Sequence, residues 1–212
     1  MDLFTQLISQ RIQILPNVML LKGFALKDET ALLHHLHLII NQAPLRQMMT
    51  KMGFLMSAAM TNCGQLGWVS DRKGYRYDAL DPLTHQAWPA MPVCFLQLAQ
   101  WAATEAGFSD FQPDACLINQ YKLGTSMGLH QDKNEQDYTQ PIVSVSLGIP
   151  AIFGFGGSLR TDKIIKIPLA HGDVVVWGGK VRQNFHRILP LKTNTHPLLG
   201  SFRYNLTFRR AG

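Results

Sequence analysis

Phe202-Arg203-Tyr204-Asn205-Leu206-Thr207-Phe208-Arg209 is the stretch that decides the fold. Taken two residues at a time it splits cleanly. Phe202, Tyr204, Leu206 and Phe208 fall on one face, and Arg203, Asn205, Thr207 and Arg209 on the other. That is a β-strand with one apolar side, and on composition alone its polar side belongs in water. Strand-like runs precede it at 115–121, 142–147, 150–155, 164–169, 173–177 and 185–189, separated by Gly, Pro, Asn and Asp turns. Short strands at this spacing predict a sandwich or barrel of jelly-roll type after Pro113.

Upstream the texture differs. Residues 18–21 read as a short strand. Asp28 is placed to cap a helix running to about Gln42, with Leu32, Leu33, Leu36, Ile39 and Ile40 at helical spacing. His34, His35 and His37 on that helix lack a partner carboxylate and read as boundary residues. Residues 44–91 are rich in Met, Gly, Tyr and turn dipeptides, which predicts short strands and tight turns, a mobile cover over a site. Pro92 to about Ala106 reads as a second helix ended by Gly107. The fold class is mainly β with flanking helices (α+β), in a single domain over 1–212. It divides into an N-terminal extension (1–43), a lid (44–91) and a catalytic core (92–212).

At 212 residues the chain supports one domain with a real core. Hydrophobic content of 46% with 16% charged residues excludes a disordered chain. A net charge of +6 makes a polyanionic partner plausible without naming it. Cys63, Cys94 and Cys116 are odd in number and lack CxxC pairing, so they read as reduced thiols of a cytoplasmic protein. No secretory pattern or membrane-length apolar run is visible.

The chemistry starts at Leu129-His130-Gln131-Asp132. In extended chain, residues two apart share a face, so His130 and Asp132 can grip one ion. A third ligand must come from downstream. His186, between Phe185 and Ile188, suits this better than His196, which precedes Pro197 in a loop. Two imidazoles and one carboxylate on one side of a metal suit Fe(II) and leave positions open for a co-substrate and dioxygen. A competing His171-Gly172-Asp173 reads as a turn entering the strand Val174-Val175-Val176-Trp177. Arg203 and Arg209 supply guanidinium forks for carboxylates, so a small dicarboxylate that also chelates iron, 2-oxoglutarate, joins both observations. Asn119 and Tyr121 share a face of the 115–121 strand. Trp68, Tyr75 and Tyr77 interleave with Arg72, Lys73 and Arg76, a pattern suited to stacked bases and neutralised phosphates, and equally to a small hydrophobic cluster under a loop.

Further motifs run through the chain: Met60-Thr61-Asn62-Cys63-Gly64, Trp88-Pro89-Ala90-Met91-Pro92 and Gln112-Pro113-Asp114-Ala115-Cys116-Leu117-Ile118-Asn119. With 129–133, 142–155, 172–179 and the 203–209 tail, the chain resembles the AlkB oxidative DNA-repair dioxygenases from about residue 44 onward, less so before it. The resemblance implies a double-stranded β-helix with Fe(II) on His130, Asp132 and His186. It implies 2-oxoglutarate on Asn119, Tyr121, Arg203, Asn205 and Arg209, with O2 as the second co-substrate. The implied reaction demethylates 1-methyladenine and 3-methylcytosine, releasing formaldehyde, succinate and CO2. Its expected substrate is alkylated single-stranded DNA, with duplex DNA and RNA beside it, handled by a monomer. The base-contacting positions correspond to Trp68, Tyr75, Arg76, Tyr77 and Arg160. One departure stands out: the acidic residue usual two positions after the ligand aspartate is Asn134 here. An amide both donates and accepts where a carboxylate only accepts, which bears on base preference. The other reading is a related oxygenase acting on a protein or small molecule, with the basic lid incidental.

Overall fold

The computed structural model describes residues 10–212, so the first nine residues of the expected N-terminal extension lie outside it. The early strands are β1 (Gln10–Leu15), β2 (Val18–Lys22), β3 (Arg46–Met49), β4 (Leu55–Gly64), β5 (Gly67–Asp71) and β6 (Gly74–Asp78). The later ones are β7 (Ala115–Tyr121), β8 (Met127–His130), β9 (Ile142–Gly148), β10 (Ala151–Phe155), β11 (Ile165–Leu169), β12 (Val174–Trp177), β13 (His186–Ile188) and β14 (Arg203–Arg209). Helices α1 (Glu29–Gln42) and α2 (Val93–Glu105) complete the set. Eight strands form an antiparallel sheet in the order β1-β2-β12-β9-β14-β7-β4-β3, and four form a second in the order β11-β10-β13-β8. β5 and β6 pair only with each other.

The large sheet is covered on both faces. On one side Tyr204, Leu206 and Phe208 of β14 pack with Leu32, Leu36 and Ile39 of α1 and Phe95, Leu98 and Ala102 of α2. On the other, Tyr121, Val175 and Trp177 meet Phe153, Phe155 and Ile188 of the small sheet. This is the double-stranded β-helix, and it explains why every residue of β14 is buried. The polar side of that strand does not face water; it faces the space between the sheets.

Several local readings need correction. α1 starts at Glu29 as expected, but Asp28 ends a short 3-10 turn (Leu26–Asp28) and its side chain makes no capping bond. β1 had no clear signature in the sequence, yet it borders the large sheet through β2. Residues 44–91 are not uniform: β3 and the ten-residue β4 extend the large sheet, and β4 runs along β7 from Ala59 to Gly64. Only the β5–β6 hairpin lies outside the two larger sheets.

Candidate active site

β8 and β13 pair antiparallel with His130 directly opposite His186. β8 ends at His130, so Asp132 lies in the chain just beyond it. The ladder pairing stops at His130, yet His130 and Asp132 still reach one point, as the two-residue spacing expects. Asp132 Oδ1 lies 3.8 Å from His130 Nε2, and its Oδ2 lies 3.9 Å from His186 Nε2. One ligand atom from each of the three lies within 4.8 Å of the others.

The tautomers suit a metal. His130 Nδ1 is 2.8 Å from the Gly128 carbonyl, and His186 Nδ1 is 3.0 Å from the Asn184 carbonyl. A carbonyl only accepts, so each Nδ1 carries the proton and each Nε2 lone pair is left for an ion. Burial, reinforced by the neighbouring His130, pushes the His186 pKa down to about 3, so its ring stays neutral. Burial opposes ionisation of Asp132, but Arg209 and the two imidazoles hold its carboxyl well below the usual range. Arg209 donates to Asp132 Oδ2 through Nε at 3.0 Å and Nη2 at 2.7 Å.

Glu29, His171 and His196 form a second group of comparable spacing. Here the tautomers are wrong for a metal. His171 Nδ1 accepts from the Gly148 amide at 2.8 Å, so its Nε2 holds the proton and faces Glu29 Oε1 at 2.7 Å. His196 Nδ1 likewise faces the Leu198 amide, at 3.3 Å. The sequence reading of His171 and Asp173 as a turn stands: Asp173 accepts from the amides of Gly23 and Ala170 and from Lys22.

Between the sheets, Asn119, Tyr121, Ser144, Asn205, Thr207 and Arg209 line a cavity that reaches His130 and His186. Arg203 lies at the opposite end of β14 from Arg209. Its guanidinium stands over the Tyr121 ring at 5.1 Å and donates from Nη2 to Ser146 Oγ at 2.8 Å. Nε and Nη1 of Arg203 are buried without a hydrogen-bond partner, as is Asn119 Oδ1. No carboxylate lies within ion-pair distance of Arg203 among the described residues. A buried cation without an anion is costly and marks a place for one.

A recess of about 390 Å³ adjoins His130 and Asp132, lined also by Trp68, Tyr75, Asn134 and the methionines Met56 and Met60. Trp68 and Tyr75 stack with ring centroids 5.6 Å apart and planes at 14°. Trp68 Nε1 donates to Asn134 Oδ1 at 3.2 Å, and Asn134 Nδ2 donates to the Tyr75 carbonyl at 3.3 Å. Arg160 donates to the Leu129 carbonyl at 3.0 Å and stands over Phe185. Two expected contacts point elsewhere. Arg76 is tied to Asp71 and Asp78 of its own hairpin, at 3.0 and 3.4 Å. The Tyr77 hydroxyl turns inward and donates to Glu135 at 2.8 Å. Burial pushes that hydroxyl well above the ordinary tyrosine pKa, against the pull of Arg209, so it remains a donor. Glu135 and Arg182, both buried beside Arg209, had no signal in the sequence beyond the nearness of Glu135 to Asp132.

Two imidazoles and a carboxylate within reach of one ion, with an unpaired buried arginine against the cavity-lining Tyr121, define a mononuclear non-haem iron oxygenase with an anionic co-substrate. The chain belongs to the AlkB family of the 2OG-Fe(II) oxygenase superfamily, whose family model matches residues 17–209. It is 51% identical over 211 residues to the alpha-ketoglutarate-dependent dioxygenase AlkB of Salmonella typhimurium, covering 100% of this chain and 98% of that one. The similarity thus includes the first forty residues, where the sequence alone showed less. The chain is 31% identical over 171 residues to the DNA N(6)-methyladenine demethylase ALKBH1C of Arabidopsis thaliana, covering 68% of this chain and 38% of the relative. The solved structure of OsALKBH1 superposes with a TM-score of 0.83 at 27% identity, covering 95% of this chain and 100% of that one. The protein is an Fe(II)- and 2-oxoglutarate-dependent dioxygenase. No helix among the described residues is long and apolar enough to cross a membrane.

Proposed function

We propose that this enzyme demethylates N-alkylated bases, 1-methyladenine and 3-methylcytosine, in single-stranded DNA, with duplex DNA and RNA as further substrates. The observation that carries the reading is the stacked Trp68–Tyr75 pair, bridged by Asn134, which lines one recess together with His130 and Asp132. Aromatic faces hold bases by stacking whatever their sequence, at about 1–3 kcal/mol per base. A methylated base pairs poorly, so less unpairing energy opposes its extrusion into such a recess. The +6 net charge favours a phosphate backbone. Free cysteines fit work in the cytoplasm, and within this reading the enzyme acts as a monomer.

Within this reading His130, Asp132 and His186 would hold the iron, the two imidazoles through Nε2 since each Nδ1 faces a carbonyl. Arg203, with Nε and Nη1 unpartnered, would hold the far carboxylate of 2-oxoglutarate, and Arg209 steadies the metal end by binding Asp132. Asn119, Tyr121 and Asn205 line the space between them. Iron with 2-oxoglutarate would supply hydroxylation of a methyl C–H bond by O2, one oxygen atom going to the methyl carbon and the other to succinate, with CO2 released. The hydroxymethyl group on nitrogen is a hemiaminal, which breaks to formaldehyde and the free base. The protein's part is to hold the methyl group against His130 and Asp132 and to exclude water by closing Trp68 and Tyr75 over the base.

The test is a 3-methylcytosine oligonucleotide incubated with iron, ascorbate and 2-oxoglutarate, reading formaldehyde and restored cytosine in equal amounts. His130→Ala should abolish both while the protein stays folded. Oligonucleotide binding should weaken steeply with salt. 2-Oxoglutarate turnover indifferent to any nucleic acid would favour the protein or small-molecule reading instead. Asn134→Asp removes a donor from the base edge. It should shift the ratio of 1-methyladenine to 3-methylcytosine repair, and an unchanged ratio would show the position to be indifferent.

A further inference from the structure

Beside Asp132 and Arg209 lies a buried charged cluster whose other members, Glu135 and Arg182, the chemistry above does not use. Glu135 is 5% exposed and Arg182 is 2% exposed. The Tyr77 hydroxyl on β6 donates to Glu135 Oε1 at 2.8 Å. Arg209 Nε lies 3.3 Å from the same oxygen, and Arg182 Nη2 lies 3.5 Å from Glu135 Oε2. Arg182 is anchored in turn by donation from Nε to the Gln140 carbonyl at 3.0 Å. Arg209 meanwhile donates two hydrogen bonds to Asp132 Oδ2. An unbroken polar path therefore runs from the β5–β6 hairpin through Tyr77, Glu135 and Arg209 to a metal ligand.

The charges explain why Glu135 is needed. Arg209 and Arg182 are balanced by Asp132 and Glu135, two against two. An ion on Asp132 brings a further cation close to Arg209 and draws on the carboxylate that Arg209 binds. Glu135 is the second anion that keeps Arg209 in place when this happens. Whatever displacement Arg209 makes is felt at Glu135, and the hydroxyl of Tyr77 is bonded to the same oxygen.

We propose that Glu135 is a positioning residue: it holds Arg209 beside Asp132 and, through Tyr77, ties closure of the β5–β6 hairpin to occupancy of the metal site. The inference rests on the family assignment and is independent of the nucleic-acid substrate. Linkage requires the tie to act in both directions, so loading the metal site must alter the hairpin.

Amide hydrogen exchange over residues 67–78 of the full chain tests this, metal-free and with Mn(II) plus 2-oxoglutarate without oxygen. The wild type should show several-fold slower exchange in the hairpin when loaded. Tyr77→Phe keeps the ring and removes only the donated bond; it should lose that metal-dependent slowing while still binding Mn(II). Glu135→Gln should lose it too, and should weaken 2-oxoglutarate binding about tenfold, the scale of one charge-assisted hydrogen bond. A merely structural role would loosen the hairpin equally in both states. That pattern, or wild-type slowing retained in Tyr77→Phe, or no slowing in the wild type, overturns the proposal.

Discussion

Arg203 sits 1% exposed, with two of its guanidinium nitrogens unpartnered and no carboxylate beside it. Burial lowers its pKa, with the Tyr121 ring and hydroxyl opposing, yet an arginine does not give up its proton. The metal-free protein therefore holds an uncompensated cation in its interior, an arrangement that only an arriving anion relieves. We predict that Arg203→Met makes the metal-free protein more stable by about 1–3 kcal/mol in chemical denaturation, because a packed thioether replaces a half-satisfied charge. The same substitution should raise the 2-oxoglutarate requirement at least tenfold. A less stable variant would show that the guanidinium is satisfied without ligand. This residue was legible in the sequence as one of two arginines on alternate positions, as were His130, Asp132 and His186. Glu135 and Arg182 were not, because nothing local marks a charge whose partners lie on β6, β14 and the 139–141 turn.

At the scale of elements, β14 bridges β7 and β9 over nearly its whole length, and its first pair with β9 is Arg203 with Gly148. Gly148 has φ +94, and a Cβ there would stand 2.2 Å from the Phe202 carbonyl oxygen. Its amide also donates to His171 Nδ1. We predict that Gly148→Ala costs about 1–3 kcal/mol, from the left-handed backbone and the displaced strand end. The same substitution should weaken 2-oxoglutarate binding, since Arg203 is the neighbour that moves. Equal denaturation midpoints for variant and wild type would contradict this. Seven of the eight strands after Pro113 were readable within a residue or two because period-two patterning and turn residues agree there; β8 (Met127–His130), four residues long, was not among them. β1 and β4 were not: β1 is an edge strand of mixed polarity, and β4 is interrupted by no turn signal that distinguishes cover from sheet. Within 129–132 the ladder stops at His130, because hydrogen bonding to β13, not local sequence, decides where a strand ends.

The whole molecule depends on histidines that remain neutral in two of its joints. His186 joins the small sheet to the site, its pKa pushed down to about 3 by burial and then by His130. His171 joins α1, through Glu29, to the 190–201 loop, where its ring stacks on His196 at 4.2 Å. Its pKa is also lowered, by burial first and by His196 next. A folded-state value below the unfolded 6.5 means that the unfolded chain binds a proton that the folded chain refuses. Stability from these groups is complete above about pH 6.5 and declines as pH falls below it, by up to about 1.4 kcal/mol per unit for each histidine. Asp132 acts with the same sign but lower, since its carboxyl, held below 3.8, gives up its contribution only as pH falls past that value. The interval from pH 7 to pH 5 therefore isolates the histidines. We predict that the thermal midpoint of the metal-free protein falls steadily across it, and that His171→Gln, with one such group fewer, falls less steeply. A midpoint that holds level or rises between pH 7 and pH 5 would mean that these rings take up protons without cost. The sheets would then be open enough at both joints to solvate an imidazolium, which the burial of His186 forbids.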